Sequence, residues 1–254
     1  MSGLQIALRA PLAAAADCSM LLEGGWTGLA PDPLSRRPVA LPGHGPVPLA
    51  ELAAVTGNAD GTVRLVGDWG QAVRLGAGLS EGTVAVEGDV GDEVGLGMSG
   101  GSLEVRGRAG ARAGAAAPAA RRGMTGGELI VHGDAGAECG ALMRRGLVAV
   151  GGAVADHAGA GMIAGTLVAF GDVGPFPGLW SKRGSIVALG RLDVPATYHY
   201  ACTYQPPHLR LLLRRLETRY HLPVEPRHFA GFYHRYSGDL AELGKGEILT
   251  WTAS

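Results

Sequence analysis

The sequence has few aromatic residues, a net charge close to zero and no long apolar run. Aromatic residues make up 6% of the 254 positions, so the bulky side chains that fill a conventional globular core are scarce. The formal net charge of −1 argues against general nucleic-acid binding, which needs a basic field. No apolar run approaches the ~20 residues of a membrane-spanning helix. We therefore expect neither a nucleic-acid partner nor a membrane location.

Cysteine is also scarce, and its distribution argues against a disulfide framework. Cys18, Cys139 and Cys202 are odd in number and far apart in the chain. The first residues include a short apolar stretch that Arg9 and Pro11 interrupt, and they lack a basic leader. We interpret the chain as a mature cytoplasmic protein in which each cysteine is a small buried apolar side chain.

Glycine, by contrast, is abundant, with 43 residues, and its positions define an internal repeat. Seven segments consist of an opening glycine, five further residues and a closing glycine, and most successive segments begin 19 residues apart, as from Gly146 to Gly165. The opening glycines are Gly61, Gly82, Gly101, Gly127, Gly146, Gly165 and Gly184, and the closing ones are Gly67, Gly88, Gly107, Gly133, Gly152, Gly171 and Gly190. A fixed period of this length is typical of solenoid architectures.

Within each segment the second and fourth residues after the opening glycine are apolar, as at Val84 and Val86 or Leu129 and Val131. Alternation with period two is typical of a strand with one face turned inward. Because the strand of each repeat runs in the same direction and turns the same face inward, the strands must stack in parallel, ~4.8 Å apart. The sequence therefore predicts an all-β parallel β-helix of about seven coils.

The regions on either side of the repeats differ from them in composition. We divide the chain into an irregular N-terminal cap (1–60), a glycine-repeat β-helix (61–190) and a C-terminal helical and extended cap (191–254). The N-terminal cap is rich in proline and includes a short helical candidate at Leu49–Val55. In the C-terminal cap, the spacing of leucines after Pro206 and Pro207 predicts an amphipathic helix of about 12 residues. We expect a final strand near the end of the chain.

The outward positions of the last repeats are apolar, as at Val168 and Val187, whereas the early repeats carry charges there. We expect that the C-terminal segment or a partner covers this outer face.

The motifs that carry chemistry elsewhere have a structural explanation here. Residues 95–100 match the dinucleotide-binding pattern GxGxxG, but these glycines coincide with the repeat, and no strand–helix unit surrounds them. The aspartates after the closing glycines occur singly, so hydrogen bonding in turns explains them better than calcium binding. These aspartates are Asp68, Asp89, Asp134 and Asp172. We predict no catalytic residue and no metal ligand, because no histidine pair, nucleophile elbow or phosphate-binding loop is present.

Two pairs of basic residues occupy the same place in two repeats. Arg144-Arg145 and Lys182-Arg183 directly precede an opening glycine. Stacking places the pairs two repeats apart, or ~10 Å, on one corner. Like charges this close together repel one another unless an anion neutralises them. Arginine suits bidentate binding of carboxylates. We name Arg144, Arg145, Lys182 and Arg183 the basic corner, and predict that it binds a carboxylate-rich ligand or an acidic protein surface.

Arg121 and Arg122, in the repeat with an insertion, are expected near the same corner. The alternative for all of these residues is an ordinary solvated surface, which needs no ligand.

The repeat GxLxVxGDxG, followed by a glycine and a methionine such as Met98 or Met162, resembles a known family. It is similar to the glycine-repeat β-helix at the C-terminus of the glutamate synthase large subunit. It resembles more closely the C-type subunit of formylmethanofuran dehydrogenase and of its bacterial counterpart, the formyltransferase/hydrolase complex. The C-terminal tail, which closes with GDLAELGKGEI, favours this C-type family.

This resemblance implies a right-handed parallel β-helix that has no active site and binds no cofactor by itself. It implies a hetero-oligomer with an amidohydrolase-like (A-type) subunit, a B-type subunit and a formyltransferase (D-type) subunit. The complex of that family transfers formyl groups between tetrahydromethanopterin and a methanofuran-type coenzyme and releases formate in one-carbon metabolism. The glutamate-rich tail of that coenzyme is then a candidate ligand of the basic corner. High contents of glycine, alanine and arginine suggest a GC-rich bacterial genome. They therefore favour the bacterial hydrolase form of the complex over the redox form that carries tungsten or molybdenum.

Two other functions remain open at this point. One is a glycine-repeat subunit that partners a separate glutamate synthase subunit. The other is a left-handed hexapeptide acyltransferase, which is also a solenoid but requires an apolar residue at every sixth position. Partners that copurify with the chain distinguish the first of these from the formyl complex, and an active homotrimer would identify the second.

Overall fold

The computed structural model describes residues 3–22 and 31–253, apart from the side chains of residues 59 and 60. The described strands are β1 (Gly3–Leu8), β2 (Ala16–Asp17), β3 (Pro38–Leu41), β4 (Gly45–Pro48), β5 (Ala53–Thr56), β6 (Asn58–Val66), β7 (Ala72–Val73), β8 (Thr83–Val86), β9 (Ser99–Val105), β10 (Thr125–Val131), β11 (Arg145–Val150), β12 (Thr166–Ala169), β13 (Arg183–Ala188), β14 (His199–Tyr204), β15 (Phe232–Gly238) and β16 (Lys245–Thr252). The described helices are α1 (Pro31–Ser35), α2 (Leu49–Leu52), α3 (Pro207–Tyr220) and α4 (Pro226–Ala230). The protein is mostly β, as predicted.

The repeats form one large, mainly parallel sheet. Its strand order is β14-β15-β16-β13-β12-β11-β10-β9-β8-β6-β1-β5, with β5 and β14 at its open edges. The seven repeat strands, β6 and β8–β13, follow one another in parallel, and β1 and β16 continue the parallel ladder at either end. The predicted parallel stacking of the repeats is confirmed.

The register of this sheet aligns the apolar positions of the repeats into continuous buried columns. Along neighbouring strands, Val84 pairs with Leu103, Leu103 pairs with Leu129, and Leu129 pairs with Val148. Each of these side chains is fully buried. Because a shift by one residue would expose the whole column, the alternation of apolar residues specifies the register.

A second parallel ladder runs beside the main sheet. The middle residue of each Asp-x-Gly segment, or its equivalent, bridges the corresponding residue of the next repeat. The bridged residues are Trp69, Val90, Ala109, Ala135, Val154, Val173 and Leu192. Most of them are buried in the same core cluster as the strand residues, so the two ladders share one apolar interior.

The N-terminal region contributes three strands to a smaller sheet and shows one departure from the sequence prediction. The smaller sheet has the order β4-β3-β2-β7. The helical candidate at Leu49–Val55 is only partly correct, because α2 ends at Leu52 and β5 follows it. Within β5, Val55 pairs antiparallel with Ile6 of β1. The β-branched Val55 and Thr56 suit this edge strand better than a helix.

Helix α3 lies across the outer face of the last repeats, where the sequence predicted a cover. Leu209, Leu213 and Leu216 are buried on one side of the helix. They form a second core cluster with outward-facing residues such as Val168 and Val187. The helix begins at Pro207 as predicted and has 14 residues rather than about 12.

Polar contacts hold the C-terminal end of α3 against the sheet. The Tyr220 hydroxyl donates a hydrogen bond to the Glu128 carboxylate and lies 3.2 Å from the Ser102 hydroxyl oxygen. The Arg215 guanidinium lies 2.6 Å from the other oxygen of Glu128. Burial, followed by the bond to Glu128, raises the pKa of Tyr220 above its usual value. These bonds satisfy polar groups that would otherwise be costly to bury.

Candidate functional site

The structure brings the four residues of the basic corner together. Arg145 begins β11 and Arg183 begins β13, and β12 lies between these two strands. The amide N–H groups of Arg144 and Lys182 donate to carbonyl oxygens of the preceding repeats, so the two residues occupy equivalent positions. Strand spacing places Arg145 and Arg183 ~10 Å apart. Lys245 of β16 pairs directly with Arg183 and adds a further cation to this column.

The cations of the basic corner have no carboxylate partner within the described residues, although other arginines of the chain do. Arg145, Lys182 and Arg183 are exposed, and Arg144 is partly buried. A surface that concentrates like charges without an internal counter-charge attracts anions, and carboxylates suit its arginines. The ligand of this corner stays a prediction.

Arg121 and Arg122 do not belong to this column. Residue Thr125, three positions after Arg122, pairs with Arg145 across the ladder. Arg122 instead lines a surface cavity together with Arg74 and Leu96. The Gly123 N–H donates to the carbonyl of Leu142, so the arginine pair lies near this corner but out of register with Arg144 and Arg145.

The aspartates after the closing glycines make structural hydrogen bonds, but mostly between repeats rather than within a turn. Asp89, Asp134 and Asp172 each accept a hydrogen bond at 2.8–2.9 Å from the backbone N–H of the residue 19 positions later. Asp68 differs, because its carboxylate accepts from the N–H of Gly70 in its own turn. The described residues contain no group of three or more His, Cys, Asp or Glu that could hold a metal ion.

Two groups of Arg191 hold the pKa of the Asp172 carboxyl below its usual value. The backbone N–H has the larger effect, and the guanidinium has the smaller one. Both groups favour the charged form of the acid, since each places positive charge next to the carboxylate. The recurring acids therefore serve the stacking of one repeat on the next.

Sequence reasoning missed a column of alternating charges on another corner. Asp17, Arg74, Glu93, Arg112 and Glu138 form a chain of ion pairs with closest atoms 2.7–3.1 Å apart. The spacings between the paired repeat residues are 19 and 26, values that also occur between the opening glycines. A search for charges at the repeat period would have found this column. Each arginine pairs with two of the three acids, so the column links successive repeats and acts as a stacking device.

The glycines of the GxGxxG pattern have structural roles, as predicted. Gly95 and Gly97 have φ of 64° and 65°, in the left-handed region that favours glycine. The residues that follow form strand β9 rather than a helix. A dinucleotide site of the usual kind requires a helix N-terminus at this point.

The prediction that every cysteine is buried is wrong for one of the three. Cys18 and Cys139 are buried, whereas Cys202 is exposed on β14. Burial raises the pKa of both buried thiols to about 12. Cys202 departs from the expectation because β14 lies at the edge of the sheet, where five of its six residues are exposed.

Among the described residues, no helix is long and apolar enough to cross a membrane.

Comparison with known proteins finds similarity among solved structures. No protein-family model and no curated protein matches the chain. A similar solved structure is a chain of the formyltransferase/hydrolase complex from Methylorubrum extorquens, whose crystal structure was determined in complex with methylofuran. The two chains are 29% identical and superpose with a TM-score of 0.77. The similarity covers 97% of this chain and 98% of the other, so it extends from end to end.

Proposed function

We propose that this chain is a subunit of a formyltransferase/hydrolase complex. The observation that carries the proposal is the end-to-end similarity, with 29% identity over 97% of this chain, to a chain of such a complex. Because the match leaves almost no part of either chain over, it includes the regions on both sides of the repeats as well as the repeats themselves.

Within the complex, we assign the chain the role of the C-type subunit, a non-catalytic structural component in the cytoplasm. Its neighbours are then the amidohydrolase-like, B-type and formyltransferase subunits. The complex would transfer formyl groups between tetrahydromethanopterin and a methanofuran-type coenzyme and release formate. The use of the recurring acids in contacts between repeats, such as those of Asp172 and Glu93, supports a structural role.

We further propose that the repeats wind into a right-handed parallel β-helix. The two parallel ladders that share one apolar interior support this architecture. The recurrence of bends between the ladders at the same place in every repeat, with positive φ at Gly95, Gly140 and Gly159, supports it further. Each repeat then completes one coil.

The basic corner is the part of this subunit that we propose meets carboxylates in the assembled complex. Its ligand would be the glutamate-rich tail of the coenzyme or an acidic surface of another subunit. The absence of an internal counter-charge for Arg145 and Arg183 within the described chain supports this assignment.

The test is affinity purification of the tagged chain from its native host at low salt, with mass spectrometry of the recovered proteins. We expect stoichiometric amounts of an amidohydrolase-like subunit and a formyltransferase subunit. Formyl transfer should be measurable in the recovered complex and absent from the chain purified alone.

Recovery of the chain alone as a stable homotrimer would refute the proposal. Recovery of a glutamate synthase subunit would instead assign the chain to the glycine-repeat family that partners glutamate synthase.

A further inference from the structure

Two large apolar side chains are exposed beside the basic corner, in backbone conformations that disfavour them. Leu142 and Trp180 have φ of 58° and 60°. Their exposed fractions are 36% and 60%. A residue with a bulky side chain is rare in this left-handed region, because its Cβ crowds the backbone. We name these two residues the apolar pair.

Other repeats place glycine at the same position. Leu142 donates its N–H to the carbonyl of Ala160, and Gly161 donates its N–H to the carbonyl of Leu179, so residues 142, 161 and 180 stack in adjacent repeats. Gly161 has φ of 63°, and Gly97 stands at the corresponding place in an earlier repeat. Glycine is the residue that this turn favours on backbone grounds. The Leu142 side chain lies over Gly161 of the next repeat, but glycine at this place in other repeats shows that stacking does not require a large side chain here.

The structure holds Trp180 in this position with a buried carboxylate. Asp239 has no exposed surface, and one of its oxygens accepts a hydrogen bond of 2.8 Å from the Trp180 N–H. In the preceding repeat, the equivalent N–H of Gly161 bonds instead to the carbonyl of Leu179. Leu240, the residue after Asp239, is also exposed, with 58% of its area accessible.

The apolar pair and the basic corner form one continuous surface. Leu142 and Arg144 lie on either side of Met143, which is fully buried. Trp180 and Lys182 lie on either side of Ser181, which is also buried. Because the intervening residues point inward, the flanking side chains project from the same corner, and this arrangement recurs two repeats apart.

From these observations we infer that the apolar pair and the basic corner together form the docking surface for a protein subunit. The partner presents an apolar pocket for Trp180 and Leu142, bordered by carboxylates that pair with the basic corner. This inference rests on the proposed function, and it selects an acidic subunit surface over the coenzyme tail as the ligand.

The apolar residues favour a protein over a flexible polyanion. A chain of glutamates offers charge but no apolar surface that could bury an indole ring. A protein surface supplies both, and tryptophan and arginine are the residues that most often dominate the energetics of such interfaces. Exposed charges around an apolar centre are also typical of interface rims.

The test uses the assembled complex and two sets of variants of the tagged chain. Leu142→Gly with Trp180→Gly removes the apolar pair and introduces the residue that other repeats have at this place. Arg144→Glu with Lys182→Glu reverses two charges of the basic corner. The control is Leu211→Ala, which removes an apolar side chain that is 75% exposed on α3, outside this surface.

We expect the glycine double variant to unfold at the same temperature as the wild type and to recover at least tenfold less of the partner subunits. The charge-reversed variant should lose them as well, with a loss relative to the wild type that is largest at low salt and decreases as salt screens the charges, and the control should recover normal amounts. Equal recovery by wild type and glycine double variant would overturn the inference and leave the proposed function intact. A wild-type chain that recovers no subunit of the complex would refute both.

Two further results would overturn the inference in favour of another occupant. The first is that both variants still assemble the complex and that the complex binds hexaglutamate. In this case the charge reversals would abolish hexaglutamate binding, and the glycine substitutions would leave it unchanged. The second is a dimer of the isolated chain that the glycine double variant converts to a monomer, which would assign the surface to a second copy of this chain.

Discussion

A substitution at Gly171 tests the physical reason for the closing glycines. The backbone of Gly171 does not have the positive φ that favours glycine, so conformational freedom is not what it supplies. A Cβ at this position would lie 2.6 Å from the Ala153 nitrogen and 2.7 Å from the Gly152 oxygen. These are backbone atoms of the preceding repeat, so no side-chain rotation relieves the clash. Gly88 stands at the same place in an earlier repeat, but there the nearest atom is 3.7 Å away.

The expected change in the free energy of unfolding is the sum of opposing contributions. Forcing extra volume into a packed site costs about 1–3 kcal/mol. Separation of the repeats also weakens the 2.8 Å bond from the Gly171 N–H to the Gly152 carbonyl, with a net value of about 1 kcal/mol. Replacing glycine with alanine restricts the unfolded chain and returns about 0.4–1 kcal/mol. Gly171→Ala should therefore destabilise the protein by about 2 kcal/mol, and Gly88→Ala should leave it unchanged or slightly more stable.

Thermal unfolding followed by circular dichroism measures the difference. For a chain of this size we expect the Tm of Gly171→Ala to fall by about 4–8 °C. The Tm of Gly88→Ala should stay within about 2 °C of the wild type or rise. Equal effects of the two substitutions would refute the reasoning, because the two sites differ in their approach to the preceding repeat.

Three further predictions concern thiol reactivity, the packing of α3 and pH. Because burial raises the pKa of Cys139 to about 12, its thiol stays protonated at pH 8, and iodoacetamide should modify only Cys202 until denaturant is added, as mass spectrometry would show. Leu213→Ala should destabilise the protein by about 2–5 kcal/mol in urea unfolding, and Leu211→Ala by less than about 0.5 kcal/mol, since the first side chain is buried and the second is exposed. Because the fold lowers the pKa of Asp172, its stabilising effect is present above the usual carboxyl pKa and is lost as the pH falls through the lowered value. Asp172→Asn should therefore lower the Tm slightly at pH 7 and by less at pH 2, and an effect that grows at low pH in scanning calorimetry would contradict this.

The sequence predicted the parallel sheet well, because each of its causes is local and repeats. Alternating apolar residues such as Val84 and Val86 specify which face of a strand is buried, and the constant period specifies how strands stack. Helix α3 was predicted for a similar reason, from the spacing of its leucines. The short helix α2 was predicted less accurately, since four residues carry too little periodicity to compete with the pairing that places Val55 on an edge strand.

The candidate site was only partly predictable, because the position of its charges follows from the repeat, whereas the backbone conformation and the exposure of its apolar residues do not. Arg145 and Arg183 occupy equivalent positions, so the period alone brought them together. Arg122 lies near this corner but out of register, because the insertion breaks the period and Thr125 pairs with Arg145 instead. The exposure of Trp180 depends on the buried Asp239 that holds its backbone, and these two residues are 59 positions apart. No local pattern in the sequence joins them.

These outcomes indicate where function resides in a chain built from repeats. Residues that recur in nearly every repeat are used in stacking: the aspartates bond to the next repeat, the alternating acids and arginines pair with one another, and the valines fill the interior. What remains for a partner is the set of departures from the pattern. At the apolar pair, large side chains occur where other repeats have glycine, and at the basic corner, cations occur where Ser99 and Thr125 stand in earlier repeats. Both departures lie on one corner, and this coincidence is what the glycine and charge-reversal variants test.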